Sequence, residues 1–142
     1  MAVHSEFVPV RAMHPIHAIL LAATIPLFAG ALLADIAYAN SYEIQWTTFA
    51  SWLIAGGLVF CGIALVAAAV GLFRADRRSG RRILYFLLVL AAWVSGFINA
   101  LVHAKDAWAV MPEGLVLSVI VAALACIAKW IAFLGLRTGG AP

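Results

Sequence analysis

Apolar residues run along this chain in four long blocks, and the polar residues gather between them. The blocks extend from about Ile16 to Tyr38, from Phe49 to Phe73, from Ile83 to Val102 and from Leu115 to Leu136. A helix needs about 20 mostly apolar residues to cross the hydrocarbon core, and each block is long enough. Strands are excluded as spanning elements: four cannot close a barrel, and an open sheet edge in lipid leaves backbone groups unpaired. The pattern predicts an all-α polytopic membrane protein, a four-transmembrane-helix bundle forming a single membrane domain over residues 1–142. Its connections are short. Ala39-Asn40-Ser41-Tyr42-Glu43 joins the first two helices, an arginine-rich loop at 74–82 turns at Ser79-Gly80, and Lys105 to Gly114 joins the last pair, with Pro112 suited to a helix start. Pro26, inside the first helix, is expected to kink it.

Composition reinforces this pattern. Of 142 residues, 66% are hydrophobic and 11% charged, and mean hydropathy is +1.09. Soluble domains carry about 25% charged residues, so lipid rather than water must cover the exterior. The net charge of +3 comes from cations beside the spans. It indicates orientation rather than a nucleic-acid partner, for which no motif is present. Arg74, Arg77, Arg78, Arg81, Arg82, Arg11 and Arg137 fall on one side, and the opposite loops hold only Lys105. The asymmetry predicts a cytoplasmic arginine loop, with both termini inside. Trp46, Trp108, Tyr38 and Tyr42 are expected at the outer boundary, and Tyr85 and Trp130 toward the inner one. Lys129 is expected to snorkel toward the inner headgroups. Cys61 and Cys126 lie mid-span and read as buried packing residues, not a disulfide framework. Ala37-Tyr38-Ala39 looks like a signal cleavage site, but the apolar run is too long for a signal peptide. In the second helix Gly57, Cys61, Ala64, Ala68 and Gly71 share one face, which suits close helix packing or a flat cofactor.

Ionisable groups inside a span are costly and are functional candidates by default. The inner cluster is His14, His17 and Asp76. The two histidines stand three apart on one helical face, and the carboxylate lies at the same depth. Two imidazoles and a carboxylate suit a divalent metal, with water as a fourth ligand, or else simple capping and hydrogen bonding. The outer cluster combines Ser95, Asn99 and His103, spaced by four on the third helix and extended by Asp106, with Asp35 on the first. Asp35 follows His17 by 18 residues, five turns at 3.6 residues each, so both share a face with Thr24 close to it. Asp35 and His103 are expected to meet, either as a proton-transfer or ligand-binding pair or as a structural lock. No phosphate loop, paired catalytic carboxylates, Ser-His-Asp order or CxxC is present, so the catalytic residues of any reaction stay unassigned.

The segments Met13-His14-Pro15-Ile16-His17, Leu33-Ala34-Asp35, Gly71-Leu72-Phe73-Arg74-Ala75-Asp76 and Met111-Pro112-Glu113-Gly114-Leu115-Val116-Leu117-Ser118 resemble the bacterial membrane proteins called domain of unknown function 2231. The resemblance spans nearly the whole chain and implies four helices in the bacterial inner membrane. It supplies no established activity. Its relatives' association with redox proteins implies an accessory subunit of a dehydrogenase or quinone-linked system, holding haem b or a metal and serving a redox partner protein. This sequence departs from the family where many relatives carry a histidine at the start of the third helix. Arg81, Arg82, Ile83 and Leu84 stand there instead, which argues against a bis-histidine haem between the first and third helices; a haem would need a non-histidine ligand or a second subunit. The alternatives are a small-solute or proton permease using Thr24, Asp35, Asn99 and His103, expected to act as a homodimer, and a structural anchor without catalysis.

Overall fold

A computed structural model describes residues 15–74 and 80–137, with backbone alone for 15–18, 21 and 135–137. His14, Asp76 and the side chain of His17 therefore lie outside the described residues. The described residues form helices α1 (Pro15–Ser41), α2 (Ile44–Phe73), α3 (Gly80–His103) and α4 (Glu113–Arg137), with a short 3-10 turn at Ala107–Ala109 between the last two. No strand occurs among them. All four helices are long and apolar enough to cross a membrane.

Each helix exceeds the expected span by a few residues. Ile44-Gln45-Trp46-Thr47-Thr48 forms the first turns of α2 although its hydropathy is mixed, because a helix satisfies its backbone internally wherever the chain meets lipid. Only Tyr42 and Glu43 separate α1 from α2. Tyr42 reverses the chain in the left-handed region at φ 56°, and its N–H donates to the carbonyl of Tyr38 at 2.8 Å, as at an αL helix terminus. Helix α1 continues through Pro26 without interruption.

The helices form a ring, in which α1 and α3 each pack against both α2 and α4. Neighbours are antiparallel, so the α1–α2 and α3–α4 connections share one end, here termed distal, and the α2–α3 connection marks the proximal end. The core is built from small residues, with Ala92, Ala125, Ala128 and Cys61 surrounding Phe28, Val89 and Val121. Small side chains let helix backbones approach closely where lipid supplies no hydrophobic drive between helices. The large apolar groups point outward: Trp52, Phe73 and Trp130 are each more than two-thirds exposed. The small face of α2 packs as far as Ala64 and then ends, since Gly71 meets no neighbour. At Gly57 a methyl group would stand 2.6 Å from the Phe28 ring, so the flat group seated on this face is the protein's own phenylalanine. Cys61 is buried as expected, but Cys126 faces outward. The inward stripe of α4 runs through Val121, Ala125 and Ala128, and position 126 falls off it.

A shallow apolar groove of about 530 Å³ opens on the outside between α2 and α3. Its lining includes Leu58, Gly62, Val66, Trp93 and Phe97, and the last two rings stack with centroids 5.6 Å apart.

Candidate functional site: a buried carboxylate–imidazole cluster

The distal end carries a closed polar cluster supplied by three helices. On α1 the buried positions Ala31, Ala34, Asp35 and Tyr38 follow the three- and four-residue steps of one helical face. Asp35 is thereby drawn into the bundle and left without accessible surface. On α3 the buried face runs through Val89, Ala92, Gly96, Asn99, Val102 and His103. On α4 it runs through Gly114, Ser118, Val121, Ala125 and Ala128.

Asp35 and His103 meet across the ring, with His103 Nε2 2.8 Å from Asp35 Oδ1. The Ser118 hydroxyl donates to Asp35 Oδ2 at 2.5 Å. The Asn99 amide donates through Nδ2 to Ser118 Oγ at 2.8 Å. The other imidazole nitrogen, His103 Nδ1, lies 3.0 Å from the backbone carbonyl of Asn99.

These contacts fix how many protons the cluster holds. A carbonyl only accepts, so His103 Nδ1 carries a hydrogen. The Ser118 hydrogen is committed to Asp35 Oδ2, because Ser118 Oγ itself accepts from Asn99. The contact between Nε2 and Oδ1 therefore needs one further proton. The pair is either imidazolium with carboxylate or imidazole with carboxylic acid, and in both forms its total charge is zero. Neutrality as a pair, with every Asp35 oxygen bonded, is what makes full burial tolerable. Asn99 Oδ1 is buried without a partner, the one unsatisfied group of the cluster.

The α3–α4 connection closes the cluster from above. The Tyr38 hydroxyl donates to the carbonyl of Ala107 at 2.9 Å, and Tyr42 stacks on Trp108 with centroids 6.1 Å apart. In the first turn of α4, position 114 is glycine, and a methyl group there would lie 2.7 Å from Val110 Cγ1 and 3.0 Å from His103 Cε1.

Of the outer cluster expected from sequence, Asp35, Asn99 and His103 come together. Ser95 is half-buried and takes no part in the network. Asp106 is exposed, and its backbone carbonyl accepts from the N–H of Ala109. It lies past the last turn of α3, where the helical stripe no longer governs direction. Tyr38 is a buried strap rather than a headgroup anchor, because its hydroxyl finds a carbonyl inside the protein. Ser118 was not anticipated as a site residue. The available signal was its spacing of four from Gly114 and three from Val121, which places it on the inward face of α4.

The arrangement is not a nucleophilic triad. Ser118 bonds to the carboxylate and not to His103, so the imidazole has no hydroxyl to deprotonate. Nor does it suit haem, since both nitrogens of His103 are engaged and neither is free for iron. Among the described residues no group of three or more His, Cys, Asp or Glu is placed to hold a metal ion. Toward the proximal end the polar stripe is broken. Thr24 bonds to the carbonyl of Leu20 in its own helix and lines a cavity of about 10 Å³ with Cys61, Ala64 and Ala92, which has room for about one water. The buried Phe28 ring reaches both Gly57 and Gly96 and fills the bundle axis between Thr24 and Asn99.

Compared with known families, residues 13–136 match the family described as predicted membrane protein (DUF2231). No curated protein and no solved structure matches the chain.

Proposed function

We propose that this chain, which belongs to the DUF2231 family of membrane proteins, is a single-domain inner-membrane protein with both ends in the cytoplasm. In this reading its working site is the periplasmic-side pair Asp35 and His103. The pair stores one proton beneath the Tyr38–Ala107 strap, and the protein serves proton-coupled chemistry in the membrane as an accessory subunit rather than as an enzyme. The observation that carries this reading is the hydrogen-bond arrangement that requires a proton between His103 Nε2 and Asp35 Oδ1. The positive-inside asymmetry supports the orientation. An intramembrane ionisable pair is retained at a cost that an apolar pair would avoid.

The test counts protons. Detergent-purified protein is carried through a pH jump and the exchanged protons are measured with an indicator dye. The wild-type protein is expected to exchange one more proton per chain than an Asp35→Asn, His103→Gln double variant of the same fold. Equal counts would show that the pair is only a structural lock.

The redox-linked accessory role implied by the family resemblance is a second reading. The observation in its favour is that the match begins at residue 13 and takes in His14 and His17, which with Asp76 are the candidates for haem b or metal. A Soret band or stoichiometric metal in detergent-purified protein supports it, and a colourless, metal-free preparation removes it. A permease path along Thr24, Asp35, Asn99 and His103 is disfavoured by the Phe28 ring lying across it.

A further inference from the structure

Lys129 is a cation within an apolar span. It stands in α4, eight residues before Arg137 at the helix end, about 12 Å along the axis at 1.5 Å per residue. It is exposed on the outside of the bundle, beside Trp130, which is 71% exposed. Lys129 makes no ion pair among the described residues. Glu43, Asp106 and Glu113, the other described acidic side chains, all belong to the distal end. Asp76, at the proximal end, lies outside the described residues. An unpaired ammonium facing hydrocarbon extends its stem until it reaches something polar. On this helix the nearer headgroups are the proximal ones.

The same end presents further cations. Arg74 closes α2, and Arg82 lies in the first turn of α3; both are exposed, and α3 packs directly against α4. Among the described residues the proximal end therefore carries positive charge without a described carboxylate, and Trp130 adds an aromatic ring whose N–H suits a polar boundary. A zwitterionic headgroup brings its own cation into such a site, whereas an anionic one does not.

We propose that Lys129, with Arg82 on the neighbouring helix and Trp130 beside it, binds the phosphate of an anionic phospholipid in the proximal leaflet. Juxtamembrane cations attract anionic lipid by about 1 kcal/mol each, a change of about fivefold in occupancy. This site is independent of the Asp35–His103 pair, so either proposal can fail alone.

The experiment uses the full chain in nanodiscs of mixed phosphatidylglycerol and phosphatidylcholine, followed by native mass spectrometry of the lipid retained per chain. The wild type is expected to retain phosphatidylglycerol preferentially. Lys129→Gln and Arg82→Gln should each lower that preference about fivefold, and Lys129→Arg should keep it. Equal retention of the two lipids by the wild type overturns the proposal, as does an unchanged preference in Lys129→Gln. Displacement of the retained lipid by inorganic phosphate would mean that the site serves a free anion instead. Arg82→Gln lies at the end of its helix and provides the second variant should Lys129→Gln fail to fold.

Discussion

Replacing Asp35 by alanine removes the hydrogen-bond partner of both His103 Nε2 and Ser118 Oγ and leaves both groups buried. In soluble proteins, deleting one partner of a buried pair costs about 3–5 kcal/mol, because the remaining group is stranded. A lost neutral hydrogen bond adds about 1 kcal/mol. In membranes the reference state also finds partners, and measured interhelical couplings average about 0.6 kcal/mol with a maximum near 1.7. Between these limits, Asp35→Ala is expected to lower stability by about 2–4 kcal/mol. In the imidazolium–carboxylate form the contact is charge-assisted and stronger than a neutral one, so the coupling between Asp35→Ala and His103→Ala should be about 1–2 kcal/mol. The assay is reversible unfolding in mixed micelles of increasing denaturing-detergent fraction, followed by circular dichroism, for the wild type, both single variants and the double variant. A coupling below about 0.5 kcal/mol would refute the idea that the pair acts as one unit.

Asn99→Leu is expected to cost less than about 1 kcal/mol in the same assay, because losing the bond to Ser118 is offset by removing the unpartnered Oδ1; a loss as large as that of Asp35→Ala would contradict this. Gly57→Ala should destabilise the bundle by about 1–3 kcal/mol, since the new methyl group meets the Phe28 ring at 2.6 Å, while Gly71→Ala, with nothing within 4 Å, should be neutral or mildly stabilising. Tyr38→Phe should weaken the strap by about 0.5–1.5 kcal/mol and speed amide hydrogen exchange at Ala109 and Val110 without melting α3. Gly114→Ala should broaden or shift the His103 imidazole resonances, because the added methyl group stands 3.0 Å from His103 Cε1; an unchanged histidine spectrum would contradict the tight approach of α4.

The four helices were readable because lipid imposes one strong rule on long apolar runs, and each run met it. Their ends were less readable. Hydropathy weights the apolar middle of a span, so the mixed first turns at Ile44 and Gly80 fell outside the expected limits although the backbone there is helical. The face of each residue was readable where periodicity was clear, as for Asp35, Asn99 and His103. It failed for Cys126, because helix α4 is apolar all round and its sequence does not mark which side meets lipid. Tyr38 was misjudged for a related reason. An aromatic hydroxyl near a span end suits the headgroup layer, but a carbonyl in the same protein, that of Ala107, lies nearer.

The site illustrates the same limit more sharply. A single chain shows which residues share a helix face but not which faces of different helices stand at one level. The pairing of Asp35 with His103 could be anticipated because both lie near the distal ends of helices that run in the same direction. Ser118 could not be paired in that way, since α4 runs the opposite way and its register depends on how the α3–α4 connection folds. That connection is set by the Tyr38 strap and by the close passage of Gly114 past His103. Once it is set, Ser118 is the α4 side chain that reaches Asp35 Oδ2. It supplies the hydrogen bond that leaves the remaining proton nowhere to reside but between Asp35 and His103.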